Sequence, residues 1–427
     1  MKSPHLNYNY FFSGIKNNTF RSLRHRNYRL YFYGQSISVT GTWIQRIATP
    51  WLVYRLTDSA LMLGIIGFAS QIPTFFISPF AGVIVDKMSR YKIMILTQTL
   101  SLIQAAILAA LYLTDAIQIW HIIALNLVLG TINAFDGPAR QSFIIDMVEG
   151  KEDLPNAIAL NSAMFNGARL IGPTVAGILI AFTGEGACFL INALSYVFVI
   201  ISLLRMKIPS IENRLRQINV YRNLKEGFSY TFHSIPIRAV LIMLSVSSLT
   251  AMQYVVLMPV FSKEILHGTS RTFGFLMAAS GVGALMGTLT LASRNSARSL
   301  EKIIPVATSL FGSALIFFSF FHNFFLALSM MLLAGGGMML QMTSSNTLIQ
   351  TIVEEDKRGR VMSIYNMAFM GTAPFGALFT GWLAKQIGVA HTLMFCGILM
   401  LLGALIYLYF LPGIKKSVNE VFSKTER

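Results

Sequence analysis

The sequence predicts an all-α membrane protein, with twelve transmembrane helices arranged as two pseudo-symmetric six-helix bundles. Three observations predict it. Of 427 residues, 54% are hydrophobic and only 12% charged, with a mean hydropathy of +0.59, whereas a soluble chain carries about 25% charged residues. The charges that remain cluster in short segments between apolar runs, and about 20 apolar residues span a bilayer core as helix. The pattern of the first half also returns about 200 residues later. Ala139-Arg140-Gln141-Ser142-Phe143, leading to Asp153, is echoed by Ser345-Asn346-Thr347-Leu348-Ile349-Gln350, leading to Arg360. Gly172-Pro173 with Gly177 is echoed by Ala373-Pro374 with Gly376 and Gly381. Paired halves are the usual construction of secondary transporters.

In order along the chain, residues 1–27 are polar and basic and lack a short apolar core followed by a small-residue cleavage site. They read as a cytoplasmic tail, not a signal peptide. Helices are expected at roughly 29–56, 61–85, 92–113, 118–141, 155–182 and 187–205, making a first bundle over 28–205. A cytoplasmic linker occupies 206–235, the one long connector. The second bundle, 236–411, has helices expected at roughly 236–262, 272–293, 302–321, 324–349, 361–386 and 390–411, and 412–427 form a cytoplasmic C-terminal tail. With the N-terminus inside, the cytoplasmic loops and tails hold most of the basic residues, from Arg21, Arg24 and Arg26 to Lys415 and Lys416. The other side holds little beyond Arg55, Lys263, Arg271 and Lys385. That asymmetry puts both termini in the cytoplasm, and an even helix count agrees.

Several classes are excluded. The formal charge of +16 and pI near 9.9 come from loops of one parity, with no interleaved basic and aromatic stripe, so nucleic acid is not an expected partner. Cys188 and Cys396 lie far apart inside apolar spans and suggest neither metal site nor disulfide. No nucleophile–base set, metal cluster or nucleotide loop is present, so an enzyme and ATP-driven transport by this chain alone are not expected. Gly335-Gly336-Gly337 sits inside a helix and reads as close packing.

The loop after the second helix carries Gly82, Asp86, Lys87, Ser89, Arg90, Tyr91 and Lys92. It resembles the G-x-x-x-D-[RK]-x-G-R-R signature of the major facilitator superfamily, with Ser89 and Tyr91 where glycine and arginine are more usual. The resemblance implies that Gly82, Asp86, Lys87 and Arg90 form a gating latch; topology-setting charge is the other reading. Gly172-Pro173 on the fifth helix is similar to the glycine–proline motif of antiporting members, although an ordinary packing kink explains it equally. Gly41-Thr42-Trp43-Ile44-Gln45, Ala134 to Gln141, Ser345 to Gln350 and Arg358-Gly359-Arg360 resemble one subgroup, the bacterial exporters similar to the enterobactin exporter, with macrolide-efflux-like relatives. The resemblance runs from Phe20 to about Leu411. It implies a central cavity lined by the first, fourth, seventh and tenth helices, and gating roles for Arg358 and Arg360. It also implies a monomer in the bacterial inner membrane, exporting a small amphipathic or anionic molecule such as a siderophore. No cofactor is implied beyond the proton gradient as energy source. Periplasmic or outer-membrane export partners fit the same picture, as do multidrug or macrolide efflux and import of a siderophore or lipid-like solute.

Ionisable groups inside the membrane are costly and normally face a cavity or a partner. Arg46, Asp136, Arg140 and Arg169 qualify. Asp136 is the sole carboxylate placed within a span, and is either a proton site or, being four residues from Arg140, half of a structural or gating pair. Arg46 and Arg169 either attract an anion through their bidentate forks or bridge helices. The polar and aromatic residues expected along the cavity are Gln35, Trp43, Gln45, Asn133, Gln253, Tyr254, Gln341, Asn346 and Gln350. Of these, Asn346 and Gln350 share one helix face.

Overall fold

The computed structural model describes residues 20–148, 150, 152–208, 228–294 and 299–425, excluding the side chains of Pro79, Val83, Asp86, Asp356 and residues 420–425. Among them every regular element is helical. A 3-10 turn, Arg21–Arg24, leads into α1 (Arg26–Thr57), α2 (Ala60–Lys87), α3 (Arg90–Leu113), α4 (Ile119–Met147), α5 (Leu154–Thr183) and α6 (Glu185–Leu204). The second half contains α7, built from Ile235–Leu249, Ala251–Gln253, Tyr254–Val260 and Phe261–Ile265, then α8 (Ser270–Ala292), α9 (Leu300–Phe320) and α10 (Phe324–Ile352). It ends with α11, broken into Glu355–Met370 and Ala373–Ile387, and α12 (Val389–Thr425). Most of the expected linker, and the N-terminal tail as far as residue 19, lie outside the described residues.

Eleven of the twelve helices are long and apolar enough to cross a bilayer. The exception is α1, whose apolar stretches are interrupted by Gln35, Ser36, Ser38, Thr40, Thr42, Gln45, Arg46 and Thr49. A span so polar belongs inside a bundle, away from lipid. Three boundaries depart from the sequence reading. α4 continues to Met147, α11 begins at Glu355, and α12 passes through Pro412 to Thr425, so residues 412–425 prolong the last helix. These extensions are polar, and hydropathy marks only the part of a helix that lies in hydrocarbon.

The two halves repeat each other in detail. Gly184 joins α5 to α6 with φ +78°, and Gly388 joins α11 to α12 with φ +85°; a one-residue turn of that hand requires glycine. Within each half the second and fourth helices pack together, as do the third and sixth. In the second half α8 and α10 meet backbone to backbone. A Cβ on Gly335 would lie 2.0 Å from the Ser280 carbonyl oxygen, and one on Gly283 1.8 Å from that of Leu332. The triple glycine is therefore packing, as its sequence suggests.

The halves meet through α2 with α11 and α5 with α8. Each crossing is a glycine pair: a Cβ on Gly381 would stand 2.7 Å from the Gly64 Cα, and a Cβ on Gly274 3.0 Å from the Gly177 Cα. Gly64 and Gly274 are both the fifth residues of their helices, so the two crossings are the same contact repeated by pseudo-symmetry. All these contacts lie in the part of the molecule remote from the termini. The last of them, at the middle of the helices, are Phe75 against Phe375 (centroids 6.1 Å) and Gly281 against the Arg169 backbone. Closer to the face where the chain enters and leaves, a Cβ on Gly82, Gly137, Gly167 or Gly359 would meet nothing within 4 Å. The halves thus form a cleft sealed at one face, here called the far face, and open towards the terminal face.

Candidate functional site

The apex of the cleft is built on α1. Gly172 of α5 has no side chain, and a Cβ there would fall 2.4 Å from the Trp43 Cβ. Its absence lets α1 and α5 touch and seats the Trp43 indole close to two cations. The Arg46 guanidinium carbon lies 5.0 Å from the indole centroid and that of Arg169 6.0 Å. The two guanidinium carbons are therefore separated by at most the sum of these, about 11 Å, and they repel each other. Arg46 is exposed although it stands in mid-helix. Ile37, nine residues earlier and so about half a turn round the helix, is 46% exposed on the opposite side. One side of α1 looks outward and the other, with Arg46, into the cleft. Neither arginine has a hydrogen bond or ion pair with any described residue.

The energetics of this arrangement do not balance internally. Placing an arginine at mid-membrane costs roughly 2.5–3.5 kcal/mol on insertion scales. Two unit charges 11 Å apart repel by about 1.5 kcal/mol at an effective dielectric of 20. Each cation–π contact returns about 0.5–2 kcal/mol. A positively charged apex remains, open to the terminal face, and a bound anion would offset it.

The other expected cavity residues divide. Asn133 is exposed on α4, and on α10 the Gln350 amide donates to Asn346 Oδ1 at 2.5 Å, so these two share one helix face. Five others are not lining residues but lie buried in the bundles. Gln45 donates to Gln104 Oε1 (3.2 Å) and accepts from Asn192 (2.7 Å), tying α1 to α3 and α6. Gln341 donates to Ser247 Oγ at 2.5 Å, Gln253 to the Ser248 carbonyl at 2.8 Å where α7 breaks, and Gln35 is 2% exposed. Tyr254 shares a hydrogen bond with Ser280 (2.5 Å), but sits near enough to Arg169 to feel its charge. Membrane helices use polar side chains as glue, and helical spacing alone does not separate glue from lining.

Asp136 is 6% exposed and fully engaged. It accepts from Thr97 Oγ1 (2.9 Å) and Gln98 Nε2 (2.7 Å) on α3 and pairs with Arg140 (3.3 Å). Arg140 in turn lies over Phe165 of α5, 4.5 Å from its centroid. In the loop after α2, Arg90 donates to both the Asp146 carboxylate (3.1 Å) and the Ser142 carbonyl (3.3 Å), fastening α3 to α4. Gly82 faces open space, and Lys87 and Arg358 are exposed. Arg360 is partly exposed. The Asp86 side chain lies outside the described residues. Pro173 sits inside α5, its carbonyl 2.6 Å from where a Gly274 Cβ would be.

The sequence reading missed the seal at the far face. Lys263 at the end of α7 pairs with Asp58 (2.6 Å) and lies 5.1 Å from the Tyr54 centroid, while Tyr54 donates to Glu264. Trp51 stacks on Phe273 with centroids 6.0 Å apart. These partners are about 200 residues apart in the chain. Only the superposition of the two halves would have hinted that the ends of α1 and α7 meet.

Two six-helix halves around a cleft closed at one face, with uncompensated charge at its apex, define a secondary transporter of the major facilitator type. The family model described as transmembrane secretion effector matches residues 17–424, and the chain belongs to that family. It is similar to the staphyloferrin A transporter of Staphylococcus aureus, with 28% identity covering 91% of this chain and 98% of the relative. It is also similar to the multidrug efflux pump Tap of Mycolicibacterium fortuitum, with 25% identity over 88% and 93% of the two chains. Among solved structures, a bacterial homologue of the iron transporter ferroportin in an inward-facing state has the same fold. That match has a TM-score of 0.67 at 14% identity, covering 91% of this chain and 98% of that one. The protein is thus a multi-pass membrane transporter, not an enzyme.

Proposed function

We propose that this transporter exports a small amphipathic anion, of the siderophore class first, across the bacterial inner membrane by alternating access and with proton coupling. The observation that carries the reading is the apex itself: Arg46 and Arg169 share one indole and have no counter-charge among the described residues. The similarity to a staphyloferrin A transporter supports the substrate class. The excess of basic residues at the terminal face supports a cytoplasmic location for both termini, which makes the open face the one from which an exporter loads. Multidrug or macrolide efflux is the second reading, favoured by the similarity to Tap. For Asp136, three donors on one buried carboxylate support the structural or gating pair over a proton site.

The test is transport by purified protein in proteoliposomes holding a pH-sensitive dye. The panel is a catecholate siderophore, a carboxylate siderophore, a macrolide and a cationic dye, each with wild type and Asp136→Asn. Outward movement of a siderophore with opposite proton flux is the expected result. Flux that survives in Asp136→Asn keeps that residue in the structural pair, and loss of flux in a folded variant moves it to the proton path. Transport of macrolide or dye alone overturns the anion reading in favour of the second, and movement only inward overturns export.

A further inference from the structure

We infer that the apex takes one ligand bearing two anionic groups, one for each of Arg46 and Arg169, so that the protein selects dianions over monoanions and neutral analogues. The inference rests on the reading of the cleft as the substrate path and deepens it. Three features lead to it. The two guanidiniums belong to different helices of one half and lie 5.0 and 6.0 Å from the centroid of the same indole. Their separation, at most about 11 Å, is within reach of a single small molecule, and each planar fork accepts a carboxylate bidentately.

The third feature is that no described carboxylate pairs with either arginine, and those on the surrounding helices hold other partners. Asp136 holds Thr97, Gln98 and Arg140; Asp146 holds Arg90; Glu185 holds Arg55 and Tyr112; Asp58 holds Lys263; and Glu264 holds Tyr54. A monoanion would leave one guanidinium uncompensated at mid-membrane, beside a newly neutralised neighbour. A dianion neutralises both, so that no net charge is left at the apex where a monoanion leaves one. Tyr254, buried in the second half with its hydroxyl on Ser280, is near enough to Arg169 to feel its charge and adds none of its own. Gly172 acts as a positioning residue, since a Cβ there would fall 2.4 Å from the Trp43 Cβ and displace the indole both cations approach.

The experiment measures equilibrium binding of three probes that differ only in charge: terephthalate, its monomethyl ester and its dimethyl ester. Detergent-purified full-length protein is used, with intrinsic tryptophan quenching and calorimetry as readouts. Wild type should bind the diacid at least tenfold more tightly than the monoester, and the monoester more tightly than the diester. Arg46→Ala and Arg169→Ala should each weaken the diacid by tenfold or more while barely changing the monoester, so that discrimination falls towards one. Arg46→Lys and Arg169→Lys, which keep the charge, should restore part of it. A wild type that binds diester and diacid alike, or binds none of the three, overturns the inference. So does discrimination that persists in both alanine variants. Monodisperse elution and an unchanged melting midpoint certify that each variant is folded. Failure here with siderophore transport intact removes the dianion rule only. Failure of the proteoliposome panel with dianion binding intact removes the export reading only.

Discussion

The seal at the far face rests on two glycine crossings, and adding one carbon to each should move the whole conformational equilibrium. In Gly177→Ala the new Cβ would stand 2.8 Å from the Ser270 carbonyl oxygen and 3.1 Å from the Gly274 Cα. In Gly381→Ala it would stand 2.7 Å from the Gly64 Cα and 2.8 Å from the Ala60 carbonyl oxygen. The obstructing atoms are backbone, so relief requires helices from opposite halves to separate. Overpacking of this kind costs about 1–3 kcal/mol, and it is paid only in the state in which the far face is shut. Taking about 2 kcal/mol, each substitution lowers the closed-to-open ratio about thirtyfold, since about 1.4 kcal/mol is a factor of ten. A protein that is about 99% closed would fall to about 77%, and the double variant would be mostly open at the far face. The crossings lie on different helix pairs and should act additively. Spin labels at Leu56, near the end of α1, and His267, just past α7, both exposed on that face, report the change as a longer distance in lipid nanodiscs. Gly167→Ala is the control, because nothing lies within 4 Å of its Cβ. Distances that stay at the wild-type value in folded Gly177→Ala and Gly381→Ala, or that lengthen equally in Gly167→Ala, would refute the reasoning.

The remaining glycines and ion pairs make sharper contrasts. Gly283→Ala puts a carbon 1.8 Å from the Leu332 carbonyl within one half, and should cost more than 3 kcal/mol, seen as lost yield and a much lower melting midpoint. Gly82→Leu enters open space and should leave the melting midpoint unchanged while reducing transport, because α2 must approach the other half when the terminal face closes. Asp136→Ala strips three donors of their acceptor and leaves Arg140 without its carboxylate. It should cost about 2–3 kcal/mol, at or below the range for a broken buried pair because Arg140 is part-exposed. A double-mutant cycle with Arg140→Ala should show a coupling of at least 1 kcal/mol. Lys263→Glu sets three carboxylates together at the far face and should lengthen the same spin-label distance at low salt, with the effect shrinking at high salt.

The helix count, the pairing of halves and the charged apex were legible in the sequence because each follows from a property one helix carries by itself. Hydropathy marks a span, and an arginine in mid-span needs a reason whatever its neighbours. What could not be read was which side of a bundle a polar residue takes. Gln45 and Arg46 are adjacent in sequence, yet one is locked to Gln104 and Asn192 and the other faces the cleft. The 100° between successive residues decides the matter, and it has meaning only once the neighbours of α1 are known. The few basic residues of the far side show the same limit. Arg55, Lys263 and Arg271 do not merely set topology, since they meet Glu185, Asp58 and the Phe182 ring across helices.

These placements also explain why the molecule is built around α1. Three tasks converge on one helix: Gly34 and Gly41 pack it against α6, Trp43 and Arg46 form the apex, and Trp51, Tyr54 and Asp58 reach the far-face seal. From Arg46 to Tyr54 is eight residues, about 12 Å of helix. That is short enough for a rigid-body tilt of α1 to couple occupancy of the apex to the seal. An anion that draws Arg46 and Arg169 together pulls α1 towards α5 at the level of Gly172, where the two already touch without intervening side chain. There is no slack at that contact, so the displacement must appear elsewhere along the helix. The far-face end is held to the other half by the exposed Lys263–Asp58 pair, worth only about 0.2–1 kcal/mol, together with the Tyr54–Glu264 hydrogen bond and the Trp51–Phe273 stack. It is these contacts that a tilt of α1 would strain.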